Sequence, residues 1–183
     1  HDAALFKEPP PREECPICML PPPVYDNYTG TMFFSCCGKD ICDGCVYAMD
    51  ESGAKDLCPF CRTPTCTSDE EVIERVQKRA ELNDAEAISV LAGCYADAEL
   101  GVARDINRAV ELLKQAAELG SIQACGQLGD VYNPDMNDDD IVDGVEKDLE
   151  RTYHYYEIAA MGGHVQARCN LGILHWNEGK KDL

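Results

Sequence analysis

Nine of the chain's 12 cysteines, Cys15, Cys18, Cys36, Cys37, Cys42, Cys45, Cys58, Cys61 and Cys66, fall within the first 66 residues. Three C-x2-C pairs stand among them: CPIC, CDGC and CPFC. Two thiolates three residues apart on a tight turn bind one tetrahedral ion, so this spacing marks a metal-thiolate framework rather than a set of disulfides. The N-terminus, HDAALFKEPPPREE, is no secretory signal, and a reducing, intracellular setting follows. Because the chain begins at His1 rather than Met, it reads as a piece of something longer. As four ligand pairs the cysteines are Cys15 with Cys18, Cys36 with Cys37, Cys42 with Cys45, and Cys58 with Cys61. Eight thiolates hold two zinc ions. A closed four-thiolate site has no position for water, so such zinc is structural, not a Lewis acid. A segment this short cannot sustain a fold on its own core, whereas structural zinc contributes on the order of 10–16 kcal/mol in small fingers.

From Cys15 to Arg62 the order and spacing resemble a RING finger. That resemblance implies a cross-brace, with Cys15, Cys18, Cys42 and Cys45 on one zinc and Cys36, Cys37, Cys58 and Cys61 on the other. Most RING fingers have Cys-Gly-His where this chain reads Cys37-Gly38-Lys39, and no histidine lies inside the module. Cys36 is the nearest substitute, as in all-cysteine variants; the alternative pairs one of Cys36 and Cys37 with Cys66. Adjacent side chains on a strand point to opposite faces, so Cys36 and Cys37 chelate together only on irregular backbone, which Gly38 can supply. The family recruits a ubiquitin-conjugating enzyme. Ile17 and Pro59 match its apolar contacts, Val46 or Tyr47 falls loosely where a groove residue stands, and Arg62 matches the arginine that bridges the conjugating enzyme and its donor ubiquitin. A planar fork of five donors on Arg62 would act by positioning, with no nucleophile on this chain and hence no catalytic residue in the covalent sense.

The composition changes near Cys66. Downstream, Ser68 followed by Glu71 forms a capping-box signature, after which Val72, Val76 and Leu82 keep a helical stripe. This divides the chain into a zinc-finger domain at 1–66 and a helical domain at 67–183.

The helical part repeats itself. Ala87-x3-Leu91-x3-Tyr95 recurs as Ala124-x3-Leu128-x3-Tyr132, an offset of 37, and as Ala167-x3-Leu171-x3-His175, a further 43. Gly101-Val102-x2-Asp105 returns at Gly144-Val145-x2-Asp148, and Ala116-Ala117-x2-Gly120 at Ala159-Ala160-x2-Gly163. Ala80-Glu81-Leu82-Asn83 lines up with Ala117-Glu118-Leu119-Gly120, Asn standing where a helix ends in a left-handed residue. Asp105 and Asp148 are placed to cap second helices. From about residue 69 onward the pattern resembles Sel-one-like repeats, relatives of the tetratricopeptide repeats, which implies an α-solenoid of antiparallel helix pairs that binds protein or peptide. The expected fold is therefore α+β and multidomain: a small cross-brace zinc module followed by an all-α solenoid of about six helices, the array reading as continuing past Leu183. Cys94, Cys125 and Cys169 lack pair spacing and read as small core residues. Asp135, Asn137, Asp139, Asp143 and Glu146 coincide with calcium-loop positions, but Asp140 stands where the loop needs glycine, so a solvated acidic loop is the simpler reading.

With 34 acidic and 16 basic side chains the net charge is −18, of which residues 67–183 carry −13. Such a charge repels phosphate backbones and anionic membranes, and no apolar run approaches the ~20 residues that span a bilayer. Protein partners are the expectation, with a basic one for the solenoid. Together these features read as a zinc-binding RING-type ubiquitin ligase, cytoplasmic or nuclear, that recruits a conjugating enzyme and presents a substrate or adaptor on its repeats. The alternative is a zinc-stabilised interaction scaffold without ligase activity.

Overall fold

The computed structural model describes residues 10, 14–22, 30–54, 56–135 and 145–181. Two short strands open the fold, β1 (Thr31–Phe34) and β2 (Lys39–Cys42). They pair antiparallel, Thr31 opposite Cys42 and Phe34 opposite Lys39, so the reversal falls on residues 35–38. Helix α1 (Asp43–Glu51) follows directly. The apolar core of this part is small: Cys15, Ile41 and Cys42 are buried, with Phe34, Cys45 and Val46 packed on them. Two of those three buried residues are thiols, so packing alone supplies little cohesion.

Six helices make up the rest of the described chain: α2 (Asp69–Ala80), α3 (Ala85–Asp97), α4 (Ile106–Glu118), α5 (Ile122–Tyr132), α6 (Leu149–Met161) and α7 (Val165–Lys181). Each packs on the next, and α7 also reaches α5, which makes a helical repeat solenoid. Serine or aspartate side chains cap the starts of five of them. The Ser68 hydroxyl accepts from the Glu71 N–H, and Asp84, Asp105, Ser121 and Asp148 each accept from the N–H three residues on. The capping box at Ser68 is not reciprocal: the Glu71 carboxylate accepts from the Thr67 N–H at 2.9 Å instead of reaching the Ser68 N–H. Asn83, Gly120 and Gly163 occupy equivalent places in the repeat, and all three have positive φ, +59°, +95° and +97°.

The stripe of α2 differs from the sequence expectation. Val72, Ile73, Val76 and Ala80 face the core, whereas Leu82 lies past the end of the helix and is 80% exposed. Ala80 completes the last helical turn, and a residue beyond it no longer follows the helical period. Cys94 and Cys125 are buried as expected of core thiols, but Cys169 on α7 is exposed.

A continuous core runs through α2 to α5, with Ile88, Leu91, Leu112, Leu113, Leu128 and Tyr132 at its centre, and a second cluster joins α5, α6 and α7. Between those last three helices lies a polar network. The Tyr156 hydroxyl donates to Asp130 Oδ1 at 2.5 Å, and Asn170 Nδ2 donates to both the Asp130 carboxylate and the Tyr156 oxygen. Burial raises the Asp130 carboxyl above its usual range, against the hydrogen bonds from Tyr156 and Asn170. No helix among the described residues is long and apolar enough to cross a membrane. The calcium-loop reading concerns Asn137, Asp139 and Asp143, which, like Gly144 of the repeat pattern, lie outside the described residues.

Two candidate metal centres

CPIC and CPFC fold into the same turn. Cys15 N–H donates to the Leu20 carbonyl at 2.9 Å and Met19 N–H to the Cys15 carbonyl at 2.8 Å; Cys58 N–H donates to Thr63 at 2.9 Å and Arg62 N–H to Cys58 at 3.0 Å. The residue after the second cysteine is left-handed in both, Met19 at φ +57° and Arg62 at φ +59°. This curl points both thiols of a pair, and several backbone N–H groups, at one spot.

Four thiols then meet at each of two places. Cys15, Cys18, Cys42 and Cys45 form one group, the first knuckle facing the end of β2 and the first turn of α1; Cys36, Cys37, Cys58 and Cys61 form the other, the hairpin turn facing the second knuckle. Sulfur pairs stand 3.8 Å apart for Cys15 with Cys45, 3.7 Å for Cys18 with Cys42, 3.6 Å for Cys37 with Cys58, and 3.5 Å for Cys61 with Cys36. A tetrahedral zinc with ~2.3 Å Zn–S bonds separates its sulfurs by ~3.8 Å. Disulfide sulfurs would be only ~2.05 Å apart. All of these cysteines are free, and the donor set and spacing fit zinc.

The two groups interleave along the chain, first pair with third and second with fourth. They contain the same eight cysteines that the spacing singled out. Cys66 lies in neither group. The difficulty of two adjacent ligands is resolved by the turn at 35–38, where the N–H groups of Cys37 and Gly38 both donate to the Phe34 carbonyl and Gly38 sits at φ +66°. Strand alternation is suspended there, and both sulfurs reach the same group. Lys39, at the place of the usual histidine, is exposed on β2.

The thiols of each group are electrostatically unequal. Burial opposes ionisation of Cys15, but N–H groups of Cys18, Cys42 and Ile17 bring its thiol down to about 6. Hydrogen bonds from Thr63 hold Cys61 at about 6. Burial, followed by the neighbouring thiols, pushes Cys45 up to about 12 and raises Cys36 and Cys37. Four sulfurs this close cannot all ionise without a cation among them, so metal uptake displaces protons.

The second group rests against the helices. A Cβ at Gly38 would collide with the guanidinium of Arg79 and approach Asp84 Oδ2, and Arg79 and Asp84 form an ion pair across the α2–α3 turn. Asp84 also caps α3, through the Ala87 N–H at 3.2 Å. Arg75 Nη1 donates to the Pro64 carbonyl at 2.8 Å. Nothing in the cysteine spacing signalled this contact, because Gly38 and Arg79 are 41 residues apart and only the fold joins them.

The residues matched to conjugating-enzyme contacts lie on the two knuckles. Ile17 is 43% exposed, Pro59 is half-buried and Arg62 is exposed. Tyr47 projects from α1 into solvent, while Val46 packs on the small core. Met19, Leu20, Leu57 and Phe60 are also exposed, an apolar surface that residue-by-residue matching overlooked.

Residues 85–121 and 123–164 match the family model of the Sel1 repeat. A solved structure, a Sel1 repeat protein from Oxalobacter formigenes, is similar at 32% identity with a TM-score of 0.49, covering 56% of this chain. The chain spans 39% of the length of that protein. No RING-family model matches the cysteine-rich part. No curated protein matches the chain. The match to the Sel1 repeat thus spans α3 to α6 of the helical part.

Proposed function

We propose that this protein is an interaction scaffold in which two structural zinc ions hold a small cysteine module against the first helices of a Sel1 array that binds protein partners. The observation carrying this reading is the pair of four-thiol groups whose sulfurs stand 3.5–3.8 Å apart, attached to Sel1 repeats. Zinc, when bound, supplies the cross-link that the three-residue core of the module lacks. All four donors of each group come from the chain, so no position is open to a reactant. Elemental analysis of the purified chain is expected to give two zinc ions, with one lost in Cys36→Ser. Retention of both in that variant overturns the ligand set; absence of zinc, or of any partner specific to the repeats in cross-linking, overturns the scaffold.

A second reading rests on the exposure of Ile17 and Arg62 on the two knuckles. In it the module recruits a ubiquitin-conjugating enzyme through Ile17 and Pro59, and Arg62 restrains the thioester-linked ubiquitin. A substrate lysine amine attacks, the thioester bond breaks, an isopeptide bond forms, and the amine's proton passes to solvent. Catalysis here is positioning. Self-ubiquitination across a panel of conjugating enzymes, reduced at least ~10-fold by Ile17→Ala or Arg62→Ala, is the expected result. Silence across the panel, or full activity in both variants, eliminates this reading and leaves the scaffold.

A further inference from the structure

We infer that α2 is coupled to the second thiol group through two arginines, Arg75 and Arg79, so that a metal ion bound there orders the first helix pair of the repeats. This coupling rests on the reading of the two groups as zinc sites, and it gives the second ion a role outside its own module.

The second group is assembled from two segments that lie apart along the chain: the hairpin turn with Cys36 and Cys37, and the knuckle with Cys58 and Cys61. Each segment meets α2. On the turn, the space a Cβ at Gly38 would need is taken by the Arg79 guanidinium, so the backbone next to Cys37 lies against that side chain. Beyond the knuckle, the Pro64 carbonyl accepts from Arg75 Nη1 at 2.8 Å, and Pro64 pairs with Leu57 in an antiparallel bridge that encloses Cys58 and Cys61. Arg75 and Arg79 stand four residues apart on α2 and so share one face of it. One helix face therefore touches both halves of the ligand set. A metal ion cross-links those halves at the separation that the two arginines present; without it each half moves on its own, and the two contacts are no longer made together.

Arg79 passes the constraint on to the repeats. Its Nε donates to Asp84 Oδ2 at 2.9 Å, and Asp84 Oδ1 accepts from the Ala87 N–H at 3.2 Å as the cap of α3. The side chains of this ion pair are only 26% and 21% exposed, against 67% and 64% for the surface pair Lys78–Glu74. Water and salt screen it correspondingly less, so it can transmit a constraint that a surface pair would dissipate. The route runs from Cys37 through Gly38, Arg79 and Asp84 to the Ala87 N–H. The first knuckle, the end of β2 and α1, which hold the first group, take part in neither arginine contact.

The test uses the full zinc-loaded chain, with zinc affinity read by equilibrium competition against a chromogenic chelator and amide exchange at Ala87 read by NMR. Coupling works equally in both directions, so Arg79→Gln and, separately, Arg75→Ala are expected to weaken one of the two ions by about fivefold or more and to leave the other unchanged. Cys36→Ser, which removes the second ion, is expected to speed exchange at Ala87 by about fivefold or more, but by less than about twofold where Arg79→Gln is already present. An arginine that merely supports the helix end would instead give two independent effects that multiply. Multiplying effects, an Ala87 N–H indifferent to Cys36→Ser, or wild-type zinc affinities in both arginine variants each overturn the coupling and leave the zinc scaffold standing. A wild-type chain without zinc overturns the scaffold and the coupling together.

Discussion

Gly38 shows how much a single residue has to satisfy in this fold. It follows the ligand Cys37, it adopts φ +66°, and it lies against the Arg79–Asp84 ion pair. An alanine there is strained in the backbone by about 1–3 kcal/mol and also displaces the guanidinium. Arg79 is the end of a flexible side chain, but moving it breaks the pairing with the aspartate that caps α3. Gly38→Ala is therefore expected to lower the thermal midpoint and to release one zinc ion, that of the second group, to a chelator faster than wild type. Equal release rates for the two proteins would refute the argument. At this scale the three C-x2-C pairs were legible in the cysteine spacing, because two thiols three residues apart share one tight turn, whereas the meeting of the adjacent Cys36 and Cys37 at one group rests on the turn at 35–38. The contact with Arg79 was not legible, because spacing carries no information about what lies on the far side of a turn.

Among the elements, the α6–α7 turn contains a titratable cap. His164 Nδ1 accepts from the Ala167 N–H at 3.1 Å, so its proton resides on Nε2, which donates to Gln123 Oε1 at 3.1 Å. Burial lowers the pKa of this imidazole below its usual 6.5. The unfolded chain then binds a proton that the folded one refuses, so the stability is fully present above pH ~6.5 and is lost as pH falls through the folded value. Thermal melts are expected to show this loss as pH falls below about 6.5. His164→Asn keeps a capping acceptor without a titrating ring, and it should flatten the dependence. A slope unchanged in that variant would assign the effect elsewhere. The caps at Ser68, Asp105 and Asp148 were readable in the sequence, the first from its capping-box spacing and the other two because they recur at the same place in the repeat. A histidine cap was not, because its role depends on the ring being buried against Gly126.

For the whole molecule, the two parts differ in what holds them together. The helices share a continuous apolar core from α2 to α5, while the apolar cluster of the cysteine module has three buried members, two of them thiols. Chelation is expected to unfold the module and spare the repeats. Far-UV circular dichroism should keep most of its helical signal, while NMR resonances of residues 30–66 collapse toward random-coil positions. Loss of the entire helical signal would mean that the contacts of Gly38 and Pro64 with α2 carry the stability of the array.

The sequence by itself determined the periodic and local features: the paired thiols, the caps, the left-handed turns at Asn83, Gly120 and Gly163, and the 37- and 43-residue repeat. Each depends on residues close along the chain or on a period that repeats, and both are visible without coordinates. Tertiary structure alone decided that Cys36 and Cys37 turn to the same group, that Cys66 stays apart, that Leu82 faces solvent, and that the second thiol group leans on Arg79. It also decided the fate of Cys169. As a letter it is equivalent to Ser89 and Gly126, which are buried, yet it is exposed, because burial belongs to the neighbour that covers a residue and not to the residue itself.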